Sequence, residues 1–151
     1  MWPYRAWQYR IPLEEAANNT VQDINLLVAI MDRESYCGLL LKPPGPRGTG
    51  DNGHGRGLMQ IDDRFHPDFC ADIEVWGDPF QNTLYGATLL RTYIRSIGTD
   101  VQGIAAYNAG PNRVVKSGYT LVEDLDTLTE GGNYVSDVLK RMAMFTNLGV
   151  R

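Results

Sequence analysis

The sequence predicts one mainly α-helical domain with a minor β element, an α+β arrangement. Apolar residues recur at helical spacing in several segments, and most of these segments begin with a capping signal. One glycine-rich stretch, residues 48–62, ends in a short apolar run that is typical of a small strand. We therefore expect a helical domain with a small β-hairpin near residues 55–62. A chain of 151 residues is long enough to bury one such core.

The first predicted helix lies in the segment VQDINLLVAIMDRES, residues 21–35. Thr20 and Asp23 resemble a capping box at its start. From Ile24 to Met31 the segment is apolar on nearly every side of a helix, so we expect it to run through the core. The following segment, KPPGPRG, cannot continue a helix because of its prolines, and it is expected to be a loop.

The middle of the chain carries two further helix signals. Asp78 followed by Pro79 predicts a helix that runs to about Ile97 and stops at Gly98. Its predicted apolar face is formed by Leu84, Ala87, Leu90, Ile94 and Ile97. Thr99 then predicts the N-cap of a second helix, with the sequence DVQGIAAYN.

The pattern weakens before a last helix is predicted. Residues 117–132 show no regular spacing of apolar residues, and we expect them to be irregular. The final helix is predicted from Tyr134 to about Asn147, with Val138 and Phe145 on its core-facing side.

Composition and charge limit the kinds of partner. The formal net charge of −4 argues against a nucleic acid or an anionic membrane surface as the partner. The longest apolar run, residues 26–31, is far too short to span a bilayer, and no signal peptide is visible. Cys37 and Cys70 match no zinc or redox spacing, so two free thiols or a single disulfide both remain open.

Glu34 is the first candidate for chemistry. It lies at the C-terminal end of the predicted buried helix, where partial burial and the negative end of the helix macrodipole both raise the pKa of a carboxyl group. A raised pKa suits a carboxylic acid that must still hold a proton near neutral pH. The alternative is a solvated glutamate at a helix end, paired with Arg33.

The glycine-rich stretch GTGDNGHGRGLMQID carries two more acids, Asp51 and Asp62. Glycine permits backbone conformations that other residues avoid, so such a loop can approach a ligand closely. Alternatively, Asp51 is a turn residue bonded to its own backbone. No phosphate-binding motif is present, and His54 and His66 fit no metal-ligand pattern with these aspartates. We therefore expect neither a metal nor a cofactor.

Four blocks of the sequence resemble the ordered signature of the goose-type lysozymes and the related lytic transglycosylases. They are AIMDRES, GDNGHGRGLMQIDDRFH, AAYNAGP and NYVSDVLKR, and together they span most of the chain. The segment DPFQNTLYGATLL is similar to the transglycosylase side of the family. The resemblance implies a lysozyme-like helical fold, with residues 1–20 as an N-terminal extension and residues 21–151 as the catalytic domain.

The resemblance also implies an activity: cleavage of the β-1,4 bond between N-acetylmuramic acid and N-acetylglucosamine in peptidoglycan. By position, Glu34 matches the family's general acid, and Asp51 and Asp62 match acids that hold and activate the attacking water. Five further positions match residues that line the sugar groove, namely Gln60, His66, Tyr107, Asn108 and Tyr134. Taken alone, four of these residues also have a purely structural explanation, such as a core tyrosine, a helix-end asparagine or a loop histidine: His66, Tyr107, Asn108 and Tyr134.

The paired aspartates favour a hydrolase, because a second carboxylate is needed only if water attacks the sugar. We therefore predict an inverting muramidase. A lytic transglycosylase that forms 1,6-anhydro products, a chitin-cleaving enzyme and an inactive wall-binding module remain alternatives. The segment from Leu39 to Gly50 is longer than in the goose-type pattern, which makes Asp51 the less secure match. We expect a monomer that acts on glycan strands outside the cytoplasm, as a phage lysin, a virion part or a processed secreted protein.

Overall fold

The computed structural model describes residues 1–150 and is mainly helical, as the sequence predicts. Its helices are α1 (Tyr4–Trp7), α2 (Arg10–Thr20), α3 (Ile24–Ser35), α4 (Ile73–Trp76), α5 (Pro79–Ile97), α6 (Asp100–Ala109), α7 (Pro111–Ser117), α8 (Val122–Asp126) and α9 (Tyr134–Leu148). The strands are β1 (Thr49–Gly50), β2 (Gly55–Arg56) and β3 (Ile61–Asp62). Single 3₁₀ turns follow β1 and precede α4 and α9.

Helix α3 is the centre of the core, because its residues from Leu27 to Met31 are fully enclosed. It packs mainly against α9 and more lightly against α2. The predicted capping box at Thr20 is wrong in detail. Asp23 is the N-cap and accepts a hydrogen bond from the backbone N–H of Asn25 at 2.8 Å. Thr20 instead ends α2 and donates to the carbonyl of Ala16 at 2.7 Å.

The β element is a three-stranded antiparallel sheet in the order β1-β2-β3. Gly50 pairs with Gly55 across the first hairpin, and Arg56 pairs with Ile61 across the second. The predicted hairpin near residues 55–62 is therefore confirmed. Most of the GLMQI run is turn rather than strand, however, and Leu58 and Met59 are enclosed in the core below the sheet.

The first twenty residues form two helices to which the sequence analysis assigned no structure. Tyr9 and Leu13 are buried in the same core as α3, and α2 packs along α5. Asp32 of α3 ties α1 into this arrangement, since Arg5 donates to its carboxylate at 2.5 and 3.0 Å. Arg141 of α9 donates to the same carboxylate. The boundary between an extension and a catalytic domain at residue 20 stays a prediction.

The predicted signals of α5 and α6 are confirmed. Asp78 accepts the backbone N–H of Gln81 at 2.9 Å, and Thr99 accepts that of Gln102 at 3.3 Å. On the predicted apolar face of α5, Leu84 is exposed, while Leu90 is fully enclosed.

The expectation of an irregular segment at residues 117–132 is wrong for α8, where Leu125 is fully buried. This short helix holds the start of α9, because Asp126 accepts the backbone N–H groups of Val135 and Ser136 at 2.7 and 3.2 Å. No helix within residues 1–150 combines the length and the apolar character needed to cross a bilayer.

Candidate active site

A cleft of about 730 Å³ is lined by residues of the β region, of α5 and of the α6–α7 junction. Nearly all of the site residues predicted from the sequence line it. They are Glu34, Asp51, Gln60, Asp62, His66, Tyr107 and Asn108. The remaining predicted residue, Tyr134, contacts the cleft through Glu34. The fold therefore brings together positions that lie up to a hundred residues apart in the sequence.

Glu34 lies in the last turn of α3, where the residue is partly exposed to the cleft while the protein around its carboxyl group removes water from it. Burial raises the pKa of its carboxyl group from 4.5 to about 7. The hydroxyl of Tyr134, which donates to Oε1, and the charge of Arg33 both act in the opposite direction and only partly offset burial. A carboxyl group with this pKa carries its proton over the weakly acidic range. It therefore meets the requirement for a general acid.

Arg33 does not form the ion pair with Glu34 that was the alternative explanation of this residue. Its guanidinium donates to Asp137 at 2.9 Å and to Asn133 at 3.1 Å. The same guanidinium lies 5.3 Å from the centre of the Tyr134 ring. Arg33 thus packs against the tyrosine that contacts Glu34, and within residues 1–150 no cation is bonded directly to the acid.

Gln60 explains much of the glycine-rich stretch. Its Nε2 donates to the carbonyls of Gly57 and Gly55 at 2.9 and 3.3 Å. A Cβ atom at Gly50 or Gly55 would come within 2.4 or 2.1 Å of the Gln60 Oε1 atom. These two glycines therefore make room for a protein side chain. The expectation from the sequence, that the glycines let the loop approach a ligand, is not needed to explain these two positions.

Three polar side chains hold the turn at Leu58 and Met59, which leads into the cleft residues Gln60 and Ile61, and two of the three were not predicted. Ser35 donates to the carbonyl of Leu58 at 2.7 Å, and Asn82 accepts the backbone N–H of Met59 at 2.8 Å. Tyr107 donates its hydroxyl to the carbonyl of Met59 at 2.7 Å. Asn82 is a fully buried amide near the start of α5. Because a polar residue on the buried side of a helix needs a hydrogen-bond partner, its position on that side could have indicated this role from the sequence.

Asp51 and Asp62 lie together at the cleft, and Arg64 joins them. The Arg64 guanidinium donates to Asp51 at 2.9 Å and to both oxygens of Asp62 at 2.6 and 2.9 Å. These bonds lower the pKa of Asp62, although partial burial opposes them. In the weakly acidic range, Glu34 is therefore protonated while Asp62 is ionised. Asp62 takes up a proton only in strong acid. Arg64 is a cleft residue that was not predicted from the sequence.

The other predicted groove residues are also anchored by hydrogen bonds. His66 Nδ1 lies 3.0 Å from the hydroxyl of Tyr85, and burial lowers the pKa of its imidazole, so the ring is neutral at pH 7. Burial and the nearby Glu34 raise the pKa of Tyr107 well above its ordinary value, and this hydroxyl stays a donor. Asn108 accepts the backbone N–H of Glu130 at 2.9 Å, which joins the end of α6 to the turn before α9.

Within residues 1–150, no group of three or more His, Cys, Asp or Glu side chains is placed to hold a metal ion. Cys37 and Cys70 are both buried free thiols, so of the two options left open by the sequence the structure has the unbonded one.

A mainly helical domain with a small antiparallel sheet and a cleft lined by carboxyl groups is a lysozyme-like fold. The family model of the transglycosylase SLT domain matches residues 12–120. The chain is 30% identical to lysozyme g of Cyprinus carpio over 155 residues, which cover 96% of this chain and 76% of the relative. It is also 30% identical to lysozyme g of Struthio camelus over 152 residues, which cover 94% of this chain and 68% of that relative.

The chain therefore belongs to the SLT-domain family of lysozyme-like enzymes, together with the goose-type lysozymes. The resemblance seen in the sequence blocks is confirmed at this level.

Proposed function

We propose that this protein is an inverting muramidase, which hydrolyses the β-1,4 bond between N-acetylmuramic acid and N-acetylglucosamine in peptidoglycan. The proposal is supported mainly by one observation: two carboxyl groups that line the same cleft have pKa values shifted in opposite directions. Burial raises the pKa of Glu34 to about 7, while hydrogen bonds from Arg64 lower the pKa of Asp62. A protonated acid and an ionised base are the pair that inverting glycosidases need.

In the proposed reaction, Glu34 gives its proton to the glycosidic oxygen as the bond from that oxygen to C1 of the muramic acid breaks. A water molecule attacks C1 from the opposite face, and one of its protons passes to the carboxylate of Asp62 or Asp51. Inverting enzymes leave space for this water, with carboxyl groups roughly 6.5–9.5 Å apart. We propose that Gln60, His66, Tyr107 and Asn108 bind the sugar, and that Tyr134 positions Glu34.

A lytic transglycosylase is the second candidate, because the matching family model is that of a transglycosylase domain. In that reaction the 6-hydroxyl of the muramic acid attacks C1 in place of water, and no second carboxylate is needed. Asp51 and Asp62 both line the cleft, which favours the hydrolase.

An anionic substrate is supported by Arg113. This arginine is exposed at the cleft, and within residues 1–150 no carboxylate forms an ion pair with it. Peptidoglycan carries carboxylates on its peptide stems, and on the lactyl groups from which a stem has been removed, whereas chitin carries none. We therefore propose peptidoglycan rather than chitin as the substrate. We also propose that the protein acts as a monomer and outside the cytoplasm. Chitin oligosaccharides should be cleaved far more slowly than peptidoglycan at equal sugar concentration.

The product decides between the two reactions. Purified peptidoglycan is digested, and the fragments are analysed by mass spectrometry and by proton NMR immediately after cleavage. A reducing muramic acid that is first formed as the α anomer supports the proposal. A dominant 1,6-anhydro product, which is one water lighter, overturns it in favour of the transglycosylase.

A further inference from the structure

Arg64 lies between Asp51 and Asp62, the two carboxylates that are proposed to activate the attacking water. Its Nη2 atom donates to Oδ2 of Asp51 at 2.9 Å and to Oδ2 of Asp62 at 2.6 Å. Its Nε atom donates to Oδ1 of Asp62 at 2.9 Å, and its backbone N–H reaches the same oxygen at 2.9 Å. Arg64 also lines the cleft. One side chain therefore fixes the relative positions of both aspartates.

The two aspartates are held unequally. Asp62 ends strand β3 and receives three hydrogen bonds from Arg64, and its side chain is 28% exposed. Asp51 receives one hydrogen bond from Arg64, and its side chain is 56% exposed. Asp51 and Asn52 also have φ angles of 46° and 54°, a left-handed conformation that costs non-glycine residues about 1 kcal/mol each. Asp62 and Arg64 thus form a fixed pair, to which Asp51 is joined by a single exposed contact.

We infer that Arg64 is a positioning residue for the hydrolytic water. It fixes Asp62 in the cleft as the base, and it joins Asp51 to this pair by one exposed contact. This inference rests on the proposed function, because a transglycosylase has no water to activate.

The charges around Asp62 support this role. Two neighbouring carboxylates without a cation between them repel each other, and one of them then takes up a proton. The other groups that face Asp62 do not supply that cation. Asp63 is itself an anion paired with Arg56, and His66 and Cys70 are neutral at pH 7. Arg64 is thus the cation that lowers the pKa of Asp62 and holds its carboxylate in place.

The test compares Arg64→Ala and Arg64→Lys with Arg47→Ala as the control. Arg47 has the same side-chain exposure as Arg64, 51%, and it forms a comparable ion pair with Glu74, away from the cleft residues. The values of kcat and KM are measured against pH on soluble peptidoglycan fragments, and thermal melting checks the fold of each variant. Because small misplacements of reacting groups cost up to about 100-fold, we expect Arg64→Ala to lower kcat by about 10–100-fold.

The pH profile separates positioning from a structural role. Without Arg64 the pKa of Asp62 rises, so the acid limb of the kcat profile should move to higher pH. Arg64→Lys should return the acid limb of the kcat profile part of the way to its wild-type pH, because a positive charge is kept. It should restore little of the value of kcat, because an ammonium group cannot reproduce the forked contact. Arg47→Ala should match the wild-type protein in both. An Arg64→Ala protein that folds and retains the wild-type kcat and acid limb overturns the inference.

The same digests separate this inference from the proposed function. Anhydro products from the wild-type protein overturn the proposed function and, with it, the base assigned to Asp62. Reducing products combined with an Arg64→Ala variant that behaves like Arg47→Ala overturn only the role of Arg64.

Discussion

Two regions of the cleft hold the same functional group in opposite surroundings. At the contact between α3 and α9, the protein removes water from the carboxyl group of Glu34, and its bonded partner is the neutral hydroxyl of Tyr134. In the β region, the carboxyl group of Asp62 is partly open to solvent and is bonded to the cation of Arg64. The first environment raises the pKa to about 7, and the second lowers it.

The difference shows that the surroundings of a carboxyl group, rather than its identity, divide the acid and base roles. Removing water favours the neutral form of Glu34, whereas a cation at hydrogen-bonding distance favours the charged form of Asp62. This separation extends over the weakly acidic range, so one group gives a proton while the other accepts one. Substitutions that remove or alter one of the two environments therefore test this contrast.

The largest effect is expected from Glu34→Gln. Glutamine keeps the shape of the side chain but has no proton to give to the leaving sugar, and general acid catalysis is worth about 10²–10⁴-fold. We expect activity to fall by about that factor, as measured by the loss of turbidity of a cell-wall suspension. A folded variant that keeps more than about a tenth of the wild-type activity would rule out Glu34 as the acid.

The next effect is expected from removing the aspartates. Asp51→Asn and Asp62→Asn should each leave partial activity, because the remaining carboxylate can accept the proton from water. The double variant should lose about 100-fold or more, since base catalysis is then absent. Rates of release of reducing sugar measure this difference. If the double variant costs no more than the product of the two single losses, the aspartates act independently.

A smaller effect is expected from Tyr134→Phe, which removes the hydroxyl that donates to Glu34. This hydrogen bond lowers the pKa of Glu34, so its loss should raise that pKa further. Because the acid must be protonated, the alkaline limb of the kcat profile should move to higher pH, with a decrease in maximal rate of about tenfold or less. Tyr4→Phe is the control, as Tyr4 is almost fully exposed. An alkaline limb that moves to lower pH would contradict the role of Tyr134.

The sequence predicts the elements that are determined by residues close together in the chain. The helices α3, α5, α6 and α9 are signalled by apolar spacing, and α5 and α6 also by caps within a few residues of their starts. Helix α2 carries a weaker signal, because it is largely polar and contains Pro12, which a helix tolerates in its first turn. The raised pKa of Glu34 was also predictable, since it follows from the position of Glu34 at the end of an apolar helix.

The rest of the site depends on contacts between distant segments. Tyr134 meets Glu34 across a hundred residues, and Asn82 meets the backbone of Met59 across twenty-three. Arg64 directly follows Asp62 and Asp63 in the sequence, but only the folded loop shows that it joins Asp51 to Asp62. Long-range pairs of this kind leave no periodic pattern in the sequence, and so they could not be predicted from it.

The smallest effect is a change of stability whose sign differs between the two regions. The folded pKa of Glu34 is raised from 4.5 to about 7, so between these values the unfolded chain loses a proton that the folded chain keeps. The folded state is therefore destabilised as pH rises through this range, and Glu34→Gln removes the penalty. The variant should equal the wild-type protein at pH 4 and exceed it by about 1–3 kcal/mol at pH 8.

Asp62→Asn should act in the opposite direction. The folded pKa of Asp62 is lowered, so its ionised form stabilises the folded state above the unfolded pKa, and this contribution is lost as pH falls through the folded pKa. Since the ion pair is partly exposed, we expect the variant to lose only about 0.5 kcal/mol at pH 7 and to approach the wild-type protein in strong acid. Urea unfolding at several pH values measures both variants. Curves that shift in the same direction for Glu34→Gln and Asp62→Asn would contradict the opposite environments of the two carboxyl groups.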